Sequence, residues 1–208
     1  MSYLILSVFL LCANLQYTYQ NKEVKLLDSS QFYNWQRCNN DNKLTILTDN
    51  NYCWLRASKE FNGIIYSPIF TGKWDNYQLE FDVKKIYGDD VFCAITFPVG
   101  TIHQQVALIL GGWGGDTCGI SCIDGKHAID NETLFRKKFT PNQWYHIKIQ
   151  ITNTKLILWV DDQCHINFLY NDRHLSLRHE VRKFSHTFSI SSSNTSAELK
   201  NLIYKRLN

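Results

Sequence analysis

Apolar and polar residues alternate with a period of two over several stretches of this 208-residue chain, and that pattern constrains its fold more than any motif does. Tyr77, Leu79, Phe81 and Val83 alternate with Gln78, Glu80, Asp82 and Lys84, the outline of a half-buried antiparallel strand. Further on, Tyr145, Ile147, Ile149 and Ile151 share one face while His146, Lys148, Gln150 and Thr152 share the other. Asn153-Thr154 turns that strand into residues 156–160, and Asp161-Asp162 makes the next turn. Residues 91–97, 106–110, 188–192 and 198–207 also read as strands, with Pro68, Pro98 and Pro141 at strand ends. Helical periodicity is nearly absent, so no helix can cover a sheet. Two sheets must then bury each other, and the pattern predicts an all-β fold: a two-sheet antiparallel β-sandwich of jelly-roll type.

Composition agrees with a folded domain and narrows its partners. At 44% hydrophobic, 14% aromatic and 20% charged residues the chain has material for a substantial core and no low-complexity tract. A formal charge of +3, with no Lys/Arg run interleaved with aromatics, argues against nucleic acid as a partner. The one basic stretch, Arg173-His174-Leu175-Ser176-Leu177-Arg178-His179, reads as a solvated edge or as a groove for anionic glycans.

Residues 3–13 are almost continuously apolar, about half the ~20 residues of a membrane helix, and a polar segment follows. That predicts a secretory leader within residues 1–19 and one domain over residues 20–208, extracellular or periplasmic and free of the membrane once the leader is gone. Beyond Cys12, six cysteines remain: Cys38, Cys53, Cys93, Cys118, Cys122 and Cys164. An even count outside the cell predicts disulfides, with Cys38 to Cys53 the favoured bridge and Cys93 a buried thiol in preference to a partner of Cys164. In an extended strand Cys118 and Cys122 lie ~13 Å apart, past the ~7 Å limit for a bridge, so they can pair only if Gly119 bends the chain. A zinc site from Cys118, Cys122 and His127 competes with that reading but lacks a second close ligand pair.

Between residues 110 and 135 the strand pattern breaks. Gly111-Gly112-Trp113-Gly114-Gly115 is followed by Gly119-Ile120-Ser121-Cys122-Ile123-Asp124-Gly125 and then by Asn131-Glu132-Thr133. The glycines allow a sharp turn that either lifts the Trp113 indole into a site or seats it as a core plug. Asn131-Glu132-Thr133 and Asn194-Thr195-Ser196 also satisfy the N-glycosylation pattern.

These motifs, in this order, resemble the 3-keto-disaccharide hydrolase-like family of the concanavalin A-like lectin/glucanase (laminin-G-like) superfamily. The comparison is with G-G-W-G-G, G-L-S-S-I-D-G and N-E-T. It extends to Asp90-Val91-Phe92-Cys93-Ala94-Ile95-Thr96-Phe97-Pro98-Val99-Gly100 and Asn142-Gln143-Trp144-Tyr145-His146-Ile147. Trp159-Val160-Asp161-Asp162, the Asp172-Arg173 to Leu177-Arg178 segment and residues 195–202 complete it. The resemblance implies a concanavalin A-like sandwich acting on or recognising sugars outside the cytoplasm. The chain lacks the G-N-S-G-I stretch and following F-R strand of hydrolase-like members, which weakens the implied activity more than the implied fold.

Glucanases of this fold use E-x-D-x-x-E on one strand. Here Glu80-Phe81-Asp82-Val83-Lys84-Lys85 places Lys85 where a protonating carboxyl is needed, so this strand reads as a solvated face. For acid/base work the candidates are Asp124, His127 and Glu132, an imidazole between two carboxylates. For ligand binding they are Trp113, Asp124, Asn131 and, more remotely, His103. No cofactor is implied. A divalent metal is compatible with the fold, although Asp89-Asp90 and Asp161-Asp162 read as turns rather than a cage. The expected function is a carbohydrate-recognition sandwich with Trp113 as stacking platform. The alternatives are a hydrolase or lyase acting on 3-keto glycosides and a laminin-G-like adhesion module.

Overall fold

The computed structural model describes residues 23–38, 45–48, 52–67, 74–184 and 188–207. The expected leader, Cys12 and Pro68 lie outside them. One sheet holds β1 (Glu23–Lys25), β3 (Thr45–Thr48), β4 (Tyr52–Leu55), β6 (Tyr77–Gly88), β11 (Trp144–Ile151), β12 (Lys155–Val160), β13 (Gln163–Leu169) and β15 (Thr195–Arg206). Its order is β13-β12-β11-β6-β15-β4-β3, with β1 also paired to β15. The second holds β2 (Trp35–Arg37), β5 (Asn62–Tyr66), β7 (Cys93–Val99), β8 (Thr101–Gly111), β9 (Thr117–Ser121), β10 (Phe135–Arg136) and β14 (Phe188–Ser192), in the order β10-β9-β8-β7-β14-β5-β2. The named pairings are antiparallel, so the chain is the two-sheet jelly-roll sandwich that its alternation predicts. Among the described residues no helix is long and apolar enough to cross a membrane.

The core is made by the inward face of each sheet. Tyr77, Leu79, Phe81 and Val83 of β6 and Tyr145, Ile147, Ile149 and Ile151 of β11 meet Ile95 and Phe97 of β7, Leu108 and Leu110 of β8, and Phe188 and Ile190 of β14. The Asp161-Asp162 turn works because both residues adopt positive φ, 49° and 64°, matching the twist of a tight hairpin.

The sheets differ on their outer faces. The eight-stranded sheet turns its polar alternates to solvent. The seven-stranded sheet is covered: Ala94, Ala107, Ile109 and Ile65 form a second apolar cluster with Ala128, Leu177 and Val181, which belong to the loop after β9 and the segment before β14. Burial on both faces explains why β7 and residues 106–110 of β8 read as nearly continuous apolar runs.

The described cysteines are all free thiols, which corrects the expectation of disulfides. Cys53 faces the main core from the eight-stranded sheet, whereas Cys38 follows β2 and packs on the outer cluster of the other sheet, so the sandwich itself separates the expected pair. Burial pushes the thiols of Cys38, Cys53 and Cys118 up to about 12. Cys118, Cys122 and His127 form no zinc set; among the described residues no group of three or more His, Cys, Asp or Glu could hold a metal ion.

Candidate functional site

At the end of β8 the backbone reverses through Gly111-Gly112-Trp113-Gly114-Gly115. Gly111, Trp113, Gly114 and Gly115 have φ of 76°, 47°, 95° and 93°. A Cβ on Gly111 would come within 2.8 Å of the Phe92 ring, so glycine is needed there for space as well as conformation. Trp113 is the one non-glycine in this left-handed turn, a strained position of the kind that persists where surrounding structure holds a side chain in place. Its indole is half-buried. The Arg178 guanidinium lies over it at 5.1 Å from the ring centroid, and the His127 ring lies 6.5 Å away.

The indole forms part of the wall of a cleft of about 1110 Å³. Opposite and beside it stand Asp89, Asp90, Asn194, Arg178 and Glu180. Each is fixed by the fold. Thr195 at the start of β15 holds the Asp89-Asp90 turn, its hydroxyl accepting from the Asp90 amide and donating to the Asp90 carbonyl, both at 3.0 Å. Arg178 grips Glu180 bidentately, Nε to Oε2 at 3.2 Å and an outer nitrogen to Oε1 at 2.8 Å. That contact, with a smaller contribution from His127, holds the Glu180 carboxyl below its usual range. The charged residues of the lining number four of each sign apart from His179, so the cleft is rich in donors and acceptors without a dominant field.

The other sequence-derived candidates divide. His127 stands behind Trp113 and brings its Nδ1 to 3.4 Å from the Cys122 sulfur. Asp124 and Glu132 do not line the cleft; Arg173 bridges them, its Nε at 2.6 Å from Asp124 Oδ2 and an outer nitrogen on Glu132. Asp124 also accepts from the His174 amide at 2.8 Å. Hydrogen bonding to Arg173, first among the causes, lowers the carboxyl pKa of both residues. Held ionised, neither carries a proton to donate, and each is a weaker base than an unpaired carboxylate.

Asn131 is buried and its side chain serves the backbone. Nδ2 donates to the carbonyls of Ile120 at 2.8 Å and His127 at 2.9 Å, while Oδ1 accepts from the Thr133 amide and hydroxyl at 2.9 and 2.6 Å. His103 is exposed near the start of β8, eight residues from Gly111 and so roughly 27 Å along the strand from the turn that carries Trp113. Glu180 and Asn194 were not among the sequence-derived site residues, Arg178 entered only within the basic stretch read as a solvated edge or a groove for anionic glycans, and Asp89-Asp90 read as a turn. The Asp172-Arg173 to Leu177-Arg178 motif was the available signal, and it supplies both arginines that organise this region.

Asp82 and Glu80 lie on the solvent face of the eight-stranded sheet, away from this cleft. His146 sits between them, Nδ1 at 2.9 Å from Asp82 and Nε2 at 3.9 Å from Glu80.

No protein-family model and no curated protein sequence matches the chain. Solved structures do. The carbohydrate-binding module CBM66 from Bacillus subtilis is 13% identical, with a TM-score of 0.54 over 83% of this chain and 95% of that one. A putative glycosyl hydrolase from Parabacteroides distasonis is also 13% identical, with a TM-score of 0.55 over 90% and 94%. A Bacillus licheniformis β-glucanase is 10% identical, with a TM-score of 0.51 over 84% and 92%. At these identities the likeness is one of fold, and the fold it identifies is the concanavalin A-like sandwich.

Proposed function

We propose that this chain is a carbohydrate-recognition sandwich, related in sequence pattern to the 3-keto-disaccharide hydrolases, whose site is the cleft between the Trp113 turn and the Arg178–Glu180 segment. The carrying observation is the half-buried indole held in a left-handed turn at the wall of a cleft that also offers carboxylates, an amide and a guanidinium. Arg178 covers one face of the ring, so it is the remaining ring surface beside mixed donors and acceptors that suits the C–H and O–H surfaces of a sugar, and the balanced charge of the lining suits a neutral one. The neighbours of this fold include a protein described as a carbohydrate-binding module and others described as glycosyl hydrolases, which supports the substrate class. Export to the extracellular space belongs to the same reading.

A glycan array on the full chain, followed by calorimetry on the best ligand, tests it. Trp113→Ala and Asp90→Ala should each weaken binding about tenfold or more, the cost of losing one anchoring contact. Unchanged affinity in Trp113→Ala overturns the assignment of the site. The enzymatic alternative, hydrolysis or elimination on 3-keto glycosides by Asp124, His127 and Glu132, requires a proton donor. Arg173 disfavours that role for both carboxyls and leaves it to His127. Turnover of a 3-keto glycoside, abolished by His127→Ala, would establish that reading.

A further inference from the structure

The solvent face of the eight-stranded sheet carries aromatic residues that a merely solvated face does not need. One register row runs Trp144 (β11), Lys84 (β6), Glu198 (β15), Trp54 (β4), and the next runs His146, Asp82, Lys200, Tyr52. A third sets Trp159 (β12) beside Lys148 (β11) and Glu80 (β6). The first row crosses four strands, roughly 14 Å at about 4.8 Å per strand.

Each indole is capped by a cation. Lys200 Nζ lies 4.2 Å and Lys84 Nζ 4.7 Å from the Trp144 ring centroid, Lys148 Nζ 4.6 Å from that of Trp159, and the Arg56 guanidinium 4.6 Å from that of Trp54. Of these cations Lys84 is paired to Glu198, while among the described residues Lys148 and Lys200 meet no carboxylate. Each carboxylate of the face has a partner, Glu198 in Lys84, Asp82 in His146 and Asn201, Glu80 in Gln78, and each keeps lone pairs that can accept further hydrogen bonds.

From this pattern we infer a second ligand surface, distinct from the Trp113 cleft, that binds an acidic polysaccharide across the strands. Ammonium groups over the rings obstruct face stacking of a neutral sugar or a nucleic-acid base. They present positive charge held in place by the indoles to an arriving carboxylate or sulfate. The acceptors between them, on Asp82 and Glu80, suit hydroxyls. A ligand carrying both acid and hydroxyl groups satisfies both sets, and a phosphodiester chain satisfies only the first.

Affinity electrophoresis of the full chain through gels containing polygalacturonate, dextran sulfate or unmodified dextran tests this surface. Retardation is expected in one or both acidic gels and not in dextran, falling as salt is raised. The ratio between the two acidic gels shows whether carboxylate or sulfate is preferred. Lys148→Ala/Lys200→Ala, two substitutions at solvent-facing stems, should weaken retention about tenfold, and Trp144→Ala should do the same. Trp113→Ala should leave it unchanged, so this surface and the cleft fail or stand separately. No retention by either polyanion, retention indifferent to the lysine pair, equal retention in dextran, or binding of single-stranded DNA as strong as that of the polysaccharide each overturns the proposal.

Discussion

Asn131 engages both polar ends of its side chain with the backbone of its own loop, and Thr133 passes one of those bonds on by accepting from the Ile120 amide at 2.9 Å. Removing the amide leaves buried carbonyls and an amide hydrogen without partners, at roughly 1–3 kcal/mol each. Asn131→Ala is therefore expected to lower the melting temperature by about 6–12 °C in a thermal scan, and a wild-type melting curve would show the clasp to be dispensable. The tripeptide was visible in the sequence as a motif, but its role was not. Nothing periodic fixes a loop, and an asparagine facing a ligand and one facing three carbonyls are spelled alike. Trp113 was legible as a choice between platform and core plug. The structure sets it between the two, half-buried against the outer cluster and still part of the cleft wall.

At the scale of elements, the strands that show alternation are those with one wet face. β6, β11, β12 and β15 were readable because burial switches at every residue along most of their length. β5 and β9 are buried at all five positions, carry glycine, and gave no alternating signal. The segment over the seven-stranded sheet read as a solvated edge or a groove for anionic glycans and not as a covering layer, since its attachment depends on long-range partners. Arg173 supplies that attachment, tying residues 124 and 132 to the segment that carries it. Both partner carboxyls have folded pKa values below their ordinary 3.8 and 4.5. The stability they contribute is thus full above those values and is lost as pH falls through the depressed folded pKa. Arg173→Ala should destabilise the protein at about pH 7, and the difference from wild type should shrink towards about pH 3. Melting curves at the two pH values check it; a difference that does not shrink would assign Arg173 a packing role on the Phe168 ring instead.

For the whole molecule, the cysteines offer a direct test of how the layers close. Of the six described thiols Cys164 alone is exposed, while Cys53, Cys93, Cys118 and Cys122 are buried and Cys38 is intermediate. A thiol reagent added to the native protein should modify Cys164 rapidly and the buried four only on unfolding. Buried thiols that react as fast as Cys164 in the native protein would show that the layers do not close as described. The two-sheet architecture itself was legible, because alternation without helices leaves few ways to bury a sheet. The covering third layer was not, since a segment with two apolar anchors, Leu177 and Val181, has no period to detect.

The order of strands also sets when this protein can fold. β15 lies between β6 and β4, and β14 lies between β7 and β5, so strands that follow the others in sequence occupy interior places in both sheets. On a ribosome β6 can pair with β11 to β13, and β7 with β8 to β10, as they emerge, but the inner edges of β6 and β4 and of β7 and β5 stay open until β15 and β14 are made. Neither sheet can be joined across its two parts before those strands arrive. Each sheet is thus made of two pre-pairable parts joined by a late central strand, and the edge of β7 that β14 covers needs protection until that strand arrives.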